Sequence, residues 1–171
     1  MTIRTAAERD VPVLAELGAR TFADTYAEAN DPADLDAHIA ESYTEATIID
    51  ALHDPRVIYL LATSGGQAVG FAKVVVDSTE DGIDAAHPAE VNQLYVAAEM
   101  HGRGLGRALL SECVERVRGA GCDVLWLGVW EGNSKAIAFY ERFGLRPVGT
   151  HEFRFGSQPQ TDLLMVMSLQ S

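Results

Sequence analysis

The segment Leu94–Leu110, LYVAAEMHGRGLGRALL, passes from an apolar strand through a glycine-rich turn into a helix-like run. A strand that enters a helix in this way leaves several backbone N–H groups without partners in the chain, and the helix N-terminus adds about half a positive charge. Glycine lets an anion approach the backbone closely and tolerates a positive φ. Arg103 and Arg107 add two full charges beside the turn. The segment therefore predicts a binding site for a phosphate or pyrophosphate.

Two other interpretations of this turn compete with an anion site of this kind. Gly102, Gly104 and Gly106 are spaced G-x-G-x-G, whereas a dinucleotide-binding turn has the spacing G-x-G-x-x-G. Asp123 lies in a plausible region for a ribose-binding acid, but it opens a predicted strand where such an acid should close one. The second alternative is a glycine-rich connection without a ligand, and the residues that follow the turn argue against it.

The composition predicts one domain over residues 1–171, because 47% of the residues are apolar and the chain is long enough to bury a core. No apolar run approaches the roughly 18 residues of a membrane span. The N-terminus lacks a basic segment followed by an apolar one, so we expect no membrane span, no signal peptide and a cytoplasmic location. Cys113 and Cys122 are interpreted as small core residues. The five histidines show no metal-ligand spacing, so no metal is expected.

The charge balance favours a cationic substrate. The formal net charge is −12, from 25 acidic and 13 basic residues. Nucleic acid and anionic membranes are therefore poor partners, because a polyanion would be repelled. Many soluble proteins are acidic for solubility alone, so the charge is a weak argument by itself. The acidic segment from Thr21 to Tyr43 fits either solvated helix faces or an acidic rim to a substrate cleft.

Hydrophobic periodicity and turn residues predict an α/β (α+β) fold, with a mixed, mostly antiparallel sheet of about seven strands and helices on both faces. Strands are expected over residues 2–5, 57–62, 68–76, 90–96, 124–130, 145–155 and 161–169, with a turn at 156–159 before the last. Helices are expected to start near Asp10, Asp31, Thr44, Leu105 and Asn133.

Two motifs, in this order and with a strand between them, resemble those of the GNAT superfamily of N-acetyltransferases. Residues 101–106, HGRGLG, match the loop motif Gln/Arg-x-x-Gly-x-Gly/Ala except that His101 occupies the Gln/Arg position. Family members use this loop mainly through backbone N–H groups, so the change should be tolerated. The motif Asn-x-x-Ala-x-x-Phe-Tyr-x-x-x-Gly-Phe is matched by Asn133, Ala136, Phe139, Tyr140 and Gly144, with Leu145 for the last aromatic. The resemblance implies the GNAT fold and an acyl-CoA-dependent N-acetyltransferase.

Over nearly the whole chain the sequence is similar to the PaiA-type spermidine/spermine N-acetyltransferases. Residues 22–26 and 34–36 and the segments WLGVWEGNSKAIAFY, GTHEFRFG and QTDLLM carry this similarity. It implies transfer of acetyl from acetyl-CoA to the primary amine of a polyamine by direct attack in a ternary complex. Two alternatives stay open: an acetyltransferase for protein N-termini, lysines or another small amine, and a non-catalytic acetyl-CoA-binding regulator. A monomer and a homodimer are equally compatible with the sequence.

The resemblance implies that acetyl-CoA lies between the strands predicted over residues 91–96 and 124–130. The pantetheine arm would follow the backbone of Leu94, Tyr95 and Val96, and one of their N–H groups would polarise the thioester carbonyl. Asn133 would bind the pantetheine arm or the diphosphate, in addition to capping its helix. The loop that would hold the diphosphate comprises His101, Gly102, Arg103, Gly104, Leu105, Gly106 and Arg107.

Tyr140 is expected at the sulfur atom of the cofactor, where a phenol with a pKa near 10 would protonate the departing thiolate. Glu90 occupies the strand position at which histone-type members of the superfamily carry a catalytic glutamate. It is expected to act as a base, or else to serve as a structural or ammonium-binding residue. An unshifted glutamate is too weak for direct abstraction, so burial or a water chain would be required. Strand alternation places Glu90 on the same face as Asn92, Leu94 and Val96.

Tyr26, Trp130 and Glu131 are expected to line the acceptor cleft. An extended polycation would be bound by carboxylates spaced along a groove, with aromatic rings against its methylene groups and ammonium groups.

Overall fold

The computed structural model describes residues 1–156 and 158–170, except for the side chains of Phe153 and Phe155. The strands are β1 (Thr2–Thr5), β2 (Val57–Ser64), β3 (Gln67–Val76), β4 (Pro88–Val96), β5 (Val124–Trp130), β6 (Arg146–Phe155) and β7 (Gln158–Ser168). The helices are α1 (Val11–Tyr26), α2 (Pro32–Ser42), α3 (Glu45–His53), α4 (Leu105–Gly119) and α5 (Ser134–Phe143). Each strand and helix expected from the sequence is present.

The seven strands form one sheet in the order β1-β2-β3-β4-β5-β7-β6. Neighbouring strands are antiparallel except β4 and β5, which are parallel because α4 returns the chain to the same edge. The predicted mixed, mostly antiparallel sheet is therefore confirmed.

Two apolar cores, one on each face of the sheet, hold the helices in place. Alternation along the strands decides which core a side chain joins. Leu60 enters the core that packs against α4 and α5, whereas the next residue, Leu61, enters the core under α1, α2 and α3. Both leucines are buried, and burial of each contributes about 1.5–3 kcal/mol to stability. The helices therefore cover both faces, as predicted.

Three of the predicted helix starts carry a capping bond, which the sequence predicts for Asp31 and Asn133. Side-chain oxygens accept hydrogen bonds from backbone N–H groups in the first turn: Asp31 from Ala33 at 2.8 Å, Thr44 from Thr47 at 3.1 Å and Asn133 from Ala136 at 3.2 Å. Each bond satisfies one of the N–H groups that a helix leaves unpaired at its start.

Asp10 does not cap α1 in this way, although the helix begins at the next residue, Val11. Both of its carboxylate oxygens instead accept hydrogen bonds from the Arg4 guanidinium at 2.8 Å, and one also accepts from the Ala7 N–H at 2.8 Å. The hydrogen bonds from Arg4 are the main reason why the pKa of Asp10 is lowered to about 2. The pair joins β1 to the segment that leads into α1.

A β-bulge at Asn92 overturns the predicted alternation along β4. Lys73 of β3 pairs with Gln93 and Val74 pairs with Val91, so Asn92 is an extra residue on β4. The extra residue reverses the side-chain pattern. Leu94 and Val96 therefore pack in the same core as Val91, while Glu90 lies on the opposite face with Gln93 and Tyr95. The prediction that Glu90 shares a face with Leu94 and Val96 is wrong.

The last hairpin is tighter than predicted, because β7 begins at Gln158 rather than at Thr161. The sequence predicts a turn at Gln158 and Pro159, but the two residues pair with Phe155 and Arg154 of β6. The ladder between β5 and β7 ends at Asp162, so this end of β7 is paired on one side only and tolerates a proline. Ser157 of the predicted turn lies outside the described residues.

Among the described residues, no helix combines the length and the apolar character that crossing a bilayer requires.

We expect Asp10→Asn to reduce the free energy of unfolding at pH 7 by about 1–2 kcal/mol, because it removes a charge-assisted hydrogen-bond pair. The folded-state pKa of Asp10 is lowered, so the stabilisation is complete above the ordinary pKa near 4 and disappears as the pH falls through about 2. Urea unfolding of wild type and variant at several pH values between 7 and 2 measures this loss.

Asp36→Asn, at an exposed position of α2, serves as the control and should change stability by less than about 0.5 kcal/mol. If the free energies of unfolding of Asp10→Asn and wild type differed by the same amount from pH 7 to pH 2, the stabilising role of the Asp10 carboxylate would be contradicted.

Candidate active site

β4 and β5 separate soon after they pair. Their parallel ladder covers only Pro88–Glu90 with Val124–Trp126, and no described strand pairs with the β5-facing edge of β4 beyond Glu90. A cavity of about 160 Å³ lies in this opening, and we call it the splay cavity. Its lining includes six predicted cofactor residues, Leu94, Tyr95, Val96, His101, Asn133 and Tyr140, together with the predicted acceptor residue Tyr26. The unpaired edge offers backbone donors and acceptors to an extended ligand.

The turn before α4 presents bare backbone to solvent. Gly102 and Gly104 have φ values of +76° and +81°, and a Cβ at either residue would meet no atom within 4 Å. The N–H groups of residues 102–107 donate no hydrogen bond to any described residue, whereas the N–H of His101 donates to the Ala98 carbonyl at 3.1 Å. The free donors therefore begin at Gly102. Leu105 contributes only through its backbone, because its side chain is buried.

Positive charge surrounds these donors. Arg103 and Arg107 are exposed, and the Arg107 guanidinium lies 5.4 Å from the centre of the Phe143 ring. His101 ties the turn to the splay cavity, because its Nε2 donates to the Val96 carbonyl oxygen at 2.8 Å. Two arginines, several free N–H groups and a helix N-terminus suit a diphosphate.

Tyr140 projects from α5 into the splay cavity. Its ring packs edge-on against Phe139, with ring centres 5.2 Å apart, and no described residue hydrogen-bonds to its hydroxyl. Burial raises the pKa of Tyr140 above its ordinary value, and the nearby Tyr26 and Cys113 raise it further. The phenol is therefore protonated at neutral pH and is able to donate a proton to a ligand in the cavity.

A second cavity, of about 250 Å³, lies on the α1–α2 side of the sheet, and we call it the tyrosine cavity. Tyr26, Tyr43 and Tyr95 all line it, and burial raises the pKa of all three phenols. Trp130 and His38 also line the cavity, with the His38 ring stacked on Phe22. The two cavities share Tyr26, Asn92, Gln93, Tyr95 and Gly128, so they meet where β4 and β5 part.

Three side chains that line the tyrosine cavity pack directly against glycines. A Cβ at Gly132 would lie 2.5 Å from the Trp130 ring, and a Cβ at Gly18 would clash with the Tyr43 ring. At Gly128 a Cβ would lie 3.2 Å from an oxygen of Asp162. The absence of a side chain at these positions therefore fixes the place of an aromatic ring or a carboxylate in the wall.

Among the described residues that line the tyrosine cavity, only Asp162 of β7 carries a carboxylate. Burial raises the pKa of Asp162, and His151 of β6 partly opposes the rise. The Nε2 atom of His151 lies 3.5 Å from Asp162 Oδ2, and its Nδ1 atom lies 3.4 Å from Glu80 Oε2. These three side chains form a continuous path from the cavity to the surface.

Glu90, the predicted base, lines neither of these two cavities. Ser78 Oγ donates a hydrogen bond to one carboxylate oxygen of Glu90 at 2.8 Å, and Asn92 Nδ2 donates to the other at 3.0 Å. Glu90 thus ties the loop before β4 to the bulge, and its place does not support action as the base.

A third cavity, of about 400 Å³, continues outward from the tyrosine cavity, with which it shares Trp130 and Gln160. We call it the acidic cavity because Asp31, Asp34 and Glu131 line it. The predicted acceptor residues are therefore divided between sites: Tyr26 and Trp130 line the tyrosine cavity, and Glu131 lines the acidic cavity.

Sequence reasoning did not assign His38, Tyr43, His151 and Asp162 to the site. Asp162 carried a signal, since it is an acid that precedes the apolar run LLMVM of β7. The sequence predicts a cofactor role for the backbone of Tyr95 alone, whereas its side chain lines the tyrosine cavity with Tyr26 and Tyr43.

Neither cysteine is bonded, and both are buried. Burial raises the pKa of Cys113 to about 12, so it stays a neutral thiol. Among the described residues, no three His, Cys, Asp or Glu side chains lie together in a way that would hold a metal ion.

The model of the acetyltransferase (GNAT) family matches residues 18–145. An uncharacterised N-acetyltransferase of Lactobacillus delbrueckii subsp. lactis is 30% identical over 95% of this chain and 94% of its own length. The N-alpha-acetyltransferase RimI of Mycobacterium tuberculosis is 32% identical over 73% and 77% of the two chains. A probable spermine N(1)-acetyltransferase of Bacillus subtilis subsp. natto is 26% identical over 72% and 86%.

The solved structures show the same fold. The PaiA N-acetyltransferase of Thermoplasma acidophilum, a complex with coenzyme A, superposes with a TM-score of 0.77 over 98% of this chain and 99% of its own, at 22% identity. At that identity the likeness shows the fold alone. The match of the family model, together with the relatives, shows that this chain belongs to the acetyltransferase (GNAT) family and is an acyl-CoA-dependent N-acetyltransferase.

Proposed function

We propose that this enzyme acetylates a primary amine of a polyamine such as spermidine or spermine, by direct attack on acetyl-CoA in a ternary complex. The observation that carries the proposal is that the three cavities adjoin one another: the splay cavity shares lining residues with the tyrosine cavity, which shares Trp130 and Gln160 with the acidic cavity. A cation that enters through the acidic cavity would place one amine beside Tyr140, where the strands part.

The donor side of the site fits acetyl-CoA. The free N–H groups from Gly102 onward, together with Arg103 and Arg107, match the diphosphate, and the unpaired edge of β4 matches the amide groups of the pantetheine arm. Asn133, at the N-terminus of α5, faces the same cavity. The thioester would then lie between the backbone of β4 and the hydroxyl of Tyr140.

Tyr140 has the properties that a proton donor to sulfur requires. It lines the splay cavity, its hydroxyl has no described hydrogen-bond partner, and it is protonated at neutral pH. Because the pKa of a thiol is near 8.5 and that of an ordinary phenol is near 10, proton transfer to the thiolate costs roughly 2 kcal/mol in bulk water. The raised pKa of Tyr140 adds to this cost, and hydrogen bonding to the developing thiolate would offset it.

The acceptor side favours an extended cation over a compact amine. A polyamine carries ammonium groups separated by methylene groups, and the site offers aromatic walls at Tyr26 and Trp130 followed by carboxylates at Asp31 and Glu131. The net charge of −12 attracts a polycation over a longer range. The probable spermine N(1)-acetyltransferase among the relatives is consistent with this substrate class.

The RimI relative supports a second acceptor class, the N-terminal amine of a protein. A peptide would also enter through the acidic cavity, but its uncharged backbone would make little use of Asp31 and Glu131. The two classes therefore differ in how strongly acetylation depends on those carboxylates.

We expect Arg103→Ala and Arg107→Ala each to weaken coenzyme A binding by about 3–10-fold at low salt, because each removes a charge beside the diphosphate. Calorimetric titration at two salt concentrations measures the affinity and its salt dependence, which should also become weaker. Arg9→Ala is the control because Arg9 is exposed and far along the chain from the turn. Unchanged affinity in both variants would contradict the placement of the diphosphate.

We expect Tyr140→Phe to lower kcat by about 100-fold or more, since general acid catalysis contributes about 10²–10⁴. Coenzyme A affinity should change by less than about 2-fold, because the aromatic ring is retained. A continuous assay of thiol release gives kcat, and calorimetry gives the affinity.

Tyr59→Phe removes the same atom from a tyrosine that lines none of the three cavities, so its kcat should match wild type. Equal kcat values for Tyr140→Phe and wild type would argue for another proton donor. A wild-type protein that binds coenzyme A but releases no thiol with any amine would instead be a regulator.

We expect kcat/KM to rise along the series monoamine, diamine, spermidine and spermine, and to be lower for peptides with free N-termini. The double variant Asp31→Asn with Glu131→Gln should lower kcat/KM for spermine by about 10-fold and for a monoamine by less than about 2-fold, because only the longer cation reaches the acidic cavity. Asparagine also caps helices, so α2 should keep its N-cap.

Glu45→Gln with Asp50→Asn makes the same charge change at exposed positions of α3 and controls for net charge. Peptide acetylation without polyamine acetylation would contradict the proposed acceptor.

A further inference from the structure

We propose that Asp162, His151 and Glu80 form a proton relay that takes a proton from the bound ammonium group of the acceptor and carries it to solvent. This inference rests on the proposed function, because it concerns how the acceptor amine becomes a nucleophile.

An amine acceptor arrives charged and must lose a proton before it attacks. Its pKa near 10 lies about three units above neutral pH, so deprotonation costs roughly 4 kcal/mol before any chemistry occurs. A base beside the amine provides a path for that proton, and Glu90 lines neither the splay cavity nor the tyrosine cavity.

Asp162 occupies the required position. It lines the tyrosine cavity close to Gly128, which belongs to both the tyrosine cavity and the splay cavity. The side chain of Asp162 is 16% exposed. In the sheet, Asp162 lies opposite Trp130 of β5 on one side and His151 of β6 on the other. Residues on either side of it in the sheet therefore hold the carboxylate at the junction, where the amine would meet the thioester.

The backbone of β5 allows this approach. A Cβ at Gly128 would lie 3.2 Å from Asp162 Oδ2 and 3.8 Å from His151 Nε2. The pair thus lies close against the glycine, with no side chain between it and the strand.

His151 and Glu80 continue the path outward. The distances are 3.5 Å from Asp162 Oδ2 to His151 Nε2 and 3.4 Å from His151 Nδ1 to Glu80 Oε2. The side chains of His151 and Glu80 are 29% and 30% exposed, so the far end of the path is in contact with solvent. An imidazole between two carboxylates accepts a proton at one nitrogen and releases another from the second nitrogen.

Other titratable groups also face the region of Asp162. They are Tyr26 of α1, His38 of α2, Tyr43 after α2 and Tyr95 of β4, all in the wall of the tyrosine cavity. The phenols have raised pKa values and remain protonated. The pKa of His38 is lowered by burial, and its Nε2 lies 3.3 Å from Ser42 Oγ. His38 is therefore the second histidine that the experiment must test.

The relay accounts for every proton that the amine loses and the thiolate gains. An ammonium acceptor and acetyl-CoA give an acetamide, a free thiol and one released proton. Asp162 takes the first proton, which passes through His151 and Glu80 to water. The amine nitrogen then bonds to the acyl carbon, the carbon–sulfur bond breaks, and the thiolate takes the Tyr140 proton. The second proton on nitrogen restores the Tyr140 phenol, so the relay exports the one proton released.

The raised pKa of Asp162 assists this role, because burial makes its carboxylate a stronger base toward the bound ammonium group.

The test compares two acceptors of equal length, 1,3-diaminopropane and 2,2-difluoro-1,3-diaminopropane. Fluorine lowers the pKa of the amines, so a larger fraction is neutral at pH 7 and less help from a base is needed. Asp162→Asn should lower kcat about 100-fold with the first acceptor and less than about 5-fold with the second. His151→Gln and Glu80→Gln should show the same selectivity with smaller losses.

Glu152→Gln is the matched control, since Glu152 is exposed on β6 next to His151 and should leave both rates unchanged. Circular dichroism and thermal unfolding verify that each variant folds, and Glu80→Gln, at the solvent end of the path, tests the relay even if Asp162→Asn is unstable. Equal losses with both acceptors, or a selective loss in His38→Gln instead of His151→Gln, would overturn the relay. Failure of wild type with every amine would refute the proposed function itself, whereas an active wild type with unselective variants would refute only the relay.

Discussion

The separation of β4 from β5 is the constraint on which the rest of the site depends. The two strands pair over only three residues each, Pro88–Glu90 with Val124–Trp126, and then part. A sheet that opens in its middle exposes backbone polar groups that a closed sheet would satisfy, so it is stable only if a ligand or water completes them. The bulge at Asn92 lies where the strands part and reverses the side-chain pattern of β4. This one irregularity places Gln93 and Tyr95 on the side of the tyrosine cavity.

Glycines determine the shape of this site in two different ways. In the turn before α4 they leave the backbone bare, so that N–H groups face open space. In the tyrosine cavity they act as contact points: Gly18, Gly128 and Gly132 allow Tyr43, Asp162 and Trp130 to lie against the main chain. A side chain held against backbone has fewer accessible rotamers than one held by other side chains, which favours a preorganised cavity.

The sequence predicted the elements of the fold because their signals are local. Caps such as Asp31 and Asn133, the periodicity of α4 and the turn glycines act over a few residues, and the structure confirms them. The bulge at Asn92 escaped prediction because it arises from pairing with β3, a relation between distant segments. Asp162 and His151 were missed for the same reason, since their meeting depends on the register of β6 with β7. The bare amides of the turn were predictable because a helix start always leaves them.

Cys113 lies near Tyr140 of the splay cavity, since it is one of the groups that raise the pKa of Tyr140. A reactive thiolate there would capture the acetyl group and halt turnover as a dead-end adduct. Because Cys113 is buried and its pKa is raised to about 12, its thiol stays neutral and unreactive. Cys113 therefore does not compete with the amine for the acetyl group. For the same reason, thiol-reactive dyes added to the native enzyme should detect the released thiol with little background from this residue.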